Sequence, residues 1–168
     1  MKKLGTKGVK VLKTVHLLLI MIWVTGVLAM GILFLLKPQS GDELYMMLNI
    51  ILFIDWVFVI PGALLSVIVG IIYGLFTNWG FFRHRWIFIK WIVSVVVILL
   101  GTFYFSPNLE QALEIADQTR DLALTDPVVI SGIKKATFSA FFQDSALVFL
   151  VIISVFKPGK KKKAKQKK

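Results

Sequence analysis

The segment from Asp55 to Trp91 contains two long apolar stretches joined by a short basic connection, and it constrains the fold more than any other part of the chain. The first stretch passes through Pro61 and ends near Phe76, and the second begins at Trp86. Residues 77–85 between them (TNWGFFRHR) carry two arginines and a histidine. Apolar runs of 18 or more residues are typical of membrane-spanning helices. The segment therefore predicts two spans connected by a tight loop.

Two more apolar stretches, from Val15 to Leu36 and from Ala136 to Phe156, are long enough to cross a bilayer as helices. Hydrophobic residues make up 57% of the chain, against about 45–50% in soluble domains. We therefore predict an all-α polytopic membrane protein, a four-transmembrane-helix bundle that forms one membrane domain over residues 1–156. The spans are predicted at about residues 14–36, 47–76, 86–105 and 136–156.

A break is predicted inside the second span and a short helix after the third. Pro61 lacks a backbone donor and crowds the preceding turn, so the helix should kink just before it. Ser106-Pro107 is typical of a helix start, and apolar residues recur at helical spacing among acids in the segment that follows. This pattern predicts an extracytoplasmic amphipathic helix at about residues 107–125, between the third and fourth spans.

The charges are segregated along the chain. Of the 20 lysines and arginines, 16 lie in residues 2–13, 83–90 and 157–168, and none of the nine acids lies there. Basic residues in alternate connections indicate the cytoplasmic side, so both termini and the second loop are predicted to be cytoplasmic in a multi-pass protein of the bacterial cytoplasmic membrane.

The tail at 157–168 (KPGKKKKAKQKK) is predicted to be a disordered basic segment. We expect it to be attracted to anionic lipids of the bilayer. A nucleic-acid partner is not expected, because no aromatic residue alternates with the lysines to stack on bases.

Several motifs in chain order carry a resemblance to a known family. They are His16 followed by IMIWVTGVLA, Asp55 followed by PGALLSVIVG, the turn WGFFRHRWIFIKW, and SVFKPGK at the end of the last span. In these motifs the sequence resembles an uncharacterised bacterial family of four-span integral membrane proteins, a domain of unknown function. The first span, with its histidine and Trp23-Val24-Thr25-Gly26, is also loosely similar to the membrane domain of the copper-resistance family. The nearer resemblance implies the four-span fold and no particular activity.

Asp55 and Asp144 are the acids inside the predicted spans. A charged side chain in a bilayer costs roughly 2.5–3.5 kcal/mol on insertion scales, so such residues are candidates for function. We expect both to face one cavity in the outer half of the membrane, as a protonatable pair or a cation site. The alternative is a polar clamp between helices. Candidate hydrogen-bond partners are Asn49, Thr102, Tyr104, Ser139 and Gln143.

The two histidines, His16 and His84, are predicted near the cytoplasmic ends of the first and third spans. Two imidazoles at one depth on different helices are what a haem b with two axial histidines needs. Interfacial residues without a ligand are the alternative. No bound metal ion is predicted, because two imidazoles without a third ligand leave an ion underbound.

Arg83, Arg85 and Lys90 form a basic rim around the second loop, and they are candidate contacts for lipid phosphate. The alternative is that they only determine the orientation of the chain in the membrane.

These observations predict a protein that is not an enzyme: a membrane module or accessory subunit, alone as a homo-oligomer or within a larger membrane complex. Two alternatives remain open. One is a haem b electron-transfer protein using His16 and His84, and the other is a small proton- or cation-coupled transporter using Asp55 and Asp144.

Overall fold

The computed structural model describes residues 3–77, 80 and 84–158, and these residues form long helices with no strand among them. Four helices are long and apolar enough to cross a membrane, which confirms the predicted number and type of elements. The α-helices are α1 Thr6–Leu33, α2 Gly41–Ile54, α3 Ile60–Phe76, α4 Arg85–Leu100, α5 Ser106–Thr119 and α6 Pro127–Phe156.

Two of the four long helices contain a π-helical turn. The first π-turn, Asp55–Val59, joins α2 to α3 in one helix of 36 residues. The second π-turn, Gly101–Phe105, joins α4 to α5 in one helix that ends at Thr119. Arg120 has a φ of 47°, so the chain changes direction there before the 3₁₀ turn Arg120–Leu124. About 20 residues suffice to cross a bilayer, so both helices are much longer than one crossing requires.

Helix α5 begins at Ser106, where the Ser106-Pro107 pattern predicted a start, but it is not a separate helix. Phe105 before it has helical backbone angles, and no side chain caps the start. The amphipathic segment predicted at 107–125 therefore continues the third long helix through α5, and a 3₁₀ turn follows it. The π-turn lets the helix continue past the proline, because it widens the backbone just where the missing donor would interrupt a regular ladder.

The helices run up and down and define two ends. At the basic end, the backbone N–H of Leu4 donates to the carbonyl of Phe76 over 3.0 Å, so the start of α1 meets the end of α3. We use "basic end" for the start of α1, the end of α3, the start of α4 and the end of α6. At the opposite, acidic end lie the 34–40 connection, the start of α2, α5, the 3₁₀ turn and the start of α6.

The acidic end is joined by a close backbone contact. The N–H of Gly41 donates to Asp121 Oδ1 over 2.6 Å. A Cβ at Gly41 would overlap the carbonyl carbon of Arg120, so only glycine fits there. Ser40 caps α2 by accepting from the N–H of Glu43, which satisfies one of the free donors of the first turn. The long third helix thus packs onto the start of the second.

Small residues determine how closely α1 crosses the second long helix. A Cβ at Gly26 would lie 2.7 Å from Val59 Cγ2, and one at Gly62 would lie 3.0 Å from the backbone nitrogen of Trp23. Close backbone approach is the usual role of small residues between apolar helices. The crossing places α1 directly against the first π-turn and its neighbour α3.

The predicted basic tail falls mostly outside the described residues, which end at Pro158. Asn78, Trp79 and residues 81–83 of the second loop are likewise outside them.

Candidate functional site

Asp55 is the first residue of the first π-turn, and its side chain is 4% exposed. The turn is widened by one residue, so the N–H of Ile60 donates to the carbonyl of Asp55. Pro61 follows and has no N–H to offer, which accounts for the predicted interruption at this place. The sequence thus correctly located a buried acid beside an irregular turn.

The second π-turn repeats the arrangement of the first. The N–H of Ser106 donates to the carbonyl of Gly101, and Pro107 follows. In each case the proline is six residues after the first residue of the turn. π-turns are rare and occur frequently at functional sites. Two π-turns with the same spacing to a following proline therefore make this region a candidate site.

A side-chain contact joins the two π-turns. Ser106 Oγ lies 3.0 Å from Asp55 Oδ2 and 3.1 Å from the carbonyl oxygen of Gly101. A serine hydroxyl has one proton and can also accept. Ser106 can therefore donate to only one of these two oxygens at a time.

Helix α6 contributes a second polar group on the same side of the bundle. Gln143 Nε2 donates to Ser139 Oγ over 3.2 Å, and both side chains are buried. A Cβ at Gly101 would lie 3.4 Å from Gln143 Oε1, so the glutamine faces the start of the second π-turn. Asp55, Ser106, Gly101, Gln143 and Ser139 together form what we term the polar layer.

Asp144 lies apart from the polar layer's hydrogen bonds. Its Oδ2 is 2.7 Å from the position that a Cβ of Gly31 would occupy, so the carboxyl group lies against the backbone of α1. Its Oδ1 is buried without a hydrogen-bond partner. Asp144 therefore fills the space that a glycine leaves in the neighbouring helix.

The structure does not join the two acids. Among the described residues, no hydrogen bond links Asp55 to Asp144, and the partner of Asp55 is Ser106, which the sequence analysis had assigned to a helix cap. A cavity of about 120 Å³ lies nearby between the third long helix and α6, and neither acid lines it. Its walls are Leu100, Tyr104, Phe138, Ser139 and Phe142.

The two histidines lie in different surroundings at the basic end. His16 is half-buried in α1, with Cε1 3.9 Å from the position of a Cβ at Gly70, and its Nδ1 is buried without a hydrogen-bond partner. His84 precedes α4 and stacks on Trp86, with 6.2 Å between ring centroids. No contact between the two imidazoles is found among the described residues.

The three residues of the predicted basic rim differ in how the structure places them. Arg83 lies outside the described residues, and Arg85 is exposed at the first position of α4. Lys90 is half-buried, and its Nζ lies 5.9 Å from the centroid of the Trp86 ring. Lys90 thus turns back along its own helix instead of extending into solvent.

Comparison of the chain with family models, curated proteins and solved structures returns no match. The family resemblance of the sequence motifs stays a prediction.

Proposed function

We propose that the chain is a multi-pass integral protein of the bacterial cytoplasmic membrane, with both termini and the second loop in the cytoplasm. Four long apolar helices support insertion. The orientation is supported by 16 of the 20 basic residues, which fall at the basic end and in its flanking segments. The acidic end then lies outside the cytoplasm.

We further propose that the protein is a non-enzymatic membrane module that associates with other membrane subunits or with itself. The exposure of α4 supports this proposal. Of its 16 residues, only Val97 is buried by the described part of the chain. The exposed apolar side chains of α4 are open to contact with a neighbouring helix as well as with lipid, and they are Phe88, Ile89, Ile92, Val95, Val96 and Leu99.

Within this module, Asp55 forms a hydrogen bond to Ser106 that links the second and third long helices and changes with the protonation of Asp55. We term this interaction the clamp. The observation that carries this proposal is the position of Ser106 Oγ between two acceptors, 3.0 Å from Asp55 Oδ2 and 3.1 Å from the Gly101 carbonyl. Each protonation state of Asp55 has its own arrangement of these hydrogen bonds.

When Asp55 is ionised, the Ser106 hydroxyl donates to the carboxylate and ties the two π-turns together with a charge-assisted hydrogen bond. When Asp55 is protonated, its O–H donates to Ser106 Oγ, and the serine proton turns to the Gly101 carbonyl. Hydrogen bonds to charged groups contribute about 1.5–3 kcal/mol and neutral ones about 0.5–1.5 kcal/mol. Gain of a proton therefore weakens the tie between the helices without breaking it.

Infrared difference spectroscopy of the reconstituted protein at two pH values tests the clamp. We expect a carboxyl C=O stretching band that appears on acidification and is absent in Asp55→Asn. Ser106→Ala should shift that band, because the carboxyl group loses its partner. Asp144→Asn is the matched control, since Asp144 lies in an apolar helix without a hydrogen bond to Ser106.

Two results would refute the clamp: a carboxyl difference spectrum that is the same in Asp55→Asn as in the wild type, or the absence of any pH-dependent band in the wild type. Complementation of a deletion strain provides the functional test. Asparagine keeps a hydrogen bond to Ser106 but cannot exchange a proton. Asp55→Asn should therefore fold with near-normal thermal stability and fail to complement, whereas full complementation would reduce Asp55 to a structural role.

A further inference from the structure

A cavity of about 290 Å³ lies at the acidic end of the bundle. Its walls come from the 34–40 connection, the start of α2, the 3₁₀ turn and the start of α6. Every described residue that lines it is apolar, except Lys37 of the connection. Ligand pockets commonly have volumes of about 300–1,000 Å³, so this cavity is at the lower end of that range and has room for one apolar chain.

Hydrogen bonds at two places hold the walls of this cavity. In the connection, Gln39 Nε2 donates to the carbonyl of Lys37 over 2.8 Å, and the N–H of Gln39 donates to Glu43 Oε2 over 2.6 Å. At the start of α6, Asp126 Oδ1 accepts from the N–H of Val129 over 3.1 Å. The cavity is therefore bounded by backbone segments that the fold itself keeps in position.

The cavity lies at the level where the predicted spans leave the membrane. Leu36 is the last residue of the first predicted span, and Leu44 and Ile133 each lie three residues before a predicted span, at 47 and 136. Leu36 is 57% exposed, so its wall borders the surroundings of the bundle. In the proposed membrane, a chain from the outer surface of the bilayer can therefore enter the cavity without leaving apolar surroundings.

Lys37 places one positive charge on the wall of the cavity, and it has no ion-pair partner among the described residues. Acids of the same end are engaged elsewhere. Glu43 and Asp126 accept backbone N–H groups. Asp42 lies 3.7 Å from the guanidinium group of Arg120. The ammonium group of Lys37 is thus available to a negative group of a ligand.

We infer that this cavity binds a single-chain amphiphile with an anionic headgroup, of the fatty-acid class. Its chain lies between the apolar walls, and its carboxylate pairs with Lys37. Burial of the chain drives binding, and the charge-assisted contact with the ammonium group selects the headgroup. The volume favours one chain over the two chains of a phospholipid, and the apolar walls favour an amphiphile over a small soluble anion.

This inference uses the proposed insertion in the membrane, but it is independent of proton exchange at Asp55. Binding of the amphiphile and the carboxyl band of Asp55 are separate measurements, so either can fail while the other holds.

Photo-crosslinking of the full-length protein in phosphatidylcholine nanodiscs, with a dodecanoate that carries a diazirine on its chain, tests the site. We expect saturable labelling within residues 36–44 or 123–133, displaced by unlabelled dodecanoate but much less by dodecanol. In Lys37→Gln the half-saturating concentration should rise about five-fold, since one lysine near a membrane surface contributes about that factor. Lys37→Arg should keep the affinity.

Two further variants separate the cavity from its surroundings. Lys135→Gln is the matched control, because it removes the same charge from an exposed position of α6 that does not line the cavity. We expect its labelling to equal that of the wild type. Ile130 is a wall residue that is 37% exposed, so Ile130→Trp can fill the cavity without replacing a buried side chain, and it should abolish the labelling.

The inference is overturned if dodecanol competes as well as dodecanoate, or if Lys135→Gln weakens labelling as much as Lys37→Gln does. Wild-type labelling in Ile130→Trp would show that the probe binds elsewhere. Phosphatidylglycerol is the last arm: if it displaces the probe at comparable concentration, the occupant is a two-chain lipid and the assignment to a single-chain amphiphile is wrong.

Discussion

Replacement of Gly41 by alanine tests the contact that joins the second and third long helices at the acidic end. An added Cβ would overlap the carbonyl carbon of Arg120 and the backbone nitrogen of Asp121. Both neighbours are backbone atoms, so no side-chain rotation can relieve the overlap. The helices must separate by about 1 Å or more to restore ordinary contact.

The cost can be estimated from what that separation disrupts. Overpacking costs about 1–3 kcal/mol. Loss of the 2.6 Å hydrogen bond from Gly41 N–H to the Asp121 carboxylate adds about 1.5–3 kcal/mol. Alanine regains about 1 kcal/mol of helix propensity. The net destabilisation is about 2–5 kcal/mol, and for a chain of this size each kcal/mol lowers Tm by about 2–4 °C.

Thermal unfolding of the purified protein in detergent, followed by circular dichroism, measures this shift. Gly5→Ala is the matched control, because a Cβ at Gly5 meets nothing within 4 Å and its φ of −68° is open to any residue. We expect Gly5→Ala to unfold within a degree or two of the wild type. If Gly41→Ala unfolds there too, the start of α2 does not pack closely on the 3₁₀ turn.

Two further predictions follow from the sequence. In the proposed orientation, a cysteine introduced at Gln118 should react with an impermeant thiol reagent added to intact cells, while a cysteine at Asn78 should not. The reverse labelling pattern would show that the orientation is opposite to the proposed one. If His16 and His84 hold a haem, protein produced with adequate haem should show a Soret band that alanine at either position removes, whereas a colourless, folded preparation would exclude the haem.

The four long helices could be predicted because a helix needs about 20 apolar residues to cross a bilayer, and runs of that length are visible in the sequence. The π-turns inside two of these helices could not be predicted in this way. A π-turn inserts one extra residue and rotates the following face of the helix by about 100°, so the apolar pattern changes phase there. In the sequence, the change at Ser106-Pro107 has the same appearance as the end of one helix and the start of another.

The candidate site was predictable in part for a related reason. Asp55 could be singled out because it is one acid within a long apolar stretch, and this position in the sequence also predicts its burial. Its partner, Ser106, is 51 residues away, and the contact depends on how two irregular helices pack. Counting residues from the ends of the spans also predicts a similar depth for Asp144 and Asp55. Such a count carries no information on which neighbour a side chain contacts, and for Asp144 that neighbour is Gly31.

The continuity of the helix from Arg85 to Thr119 has a mechanical consequence. At 1.5 Å per residue this helix spans roughly 50 Å, with the second π-turn near the middle. The arm beyond the π-turn, α5, has 14 residues and is roughly 21 Å long, so a tilt of about 10° about that pivot displaces Thr119 by about 4 Å. Because Arg120 and Asp121, directly after this arm, contact Gly41, a tilt that begins at the basic end would pull on the start of α2 at the acidic end.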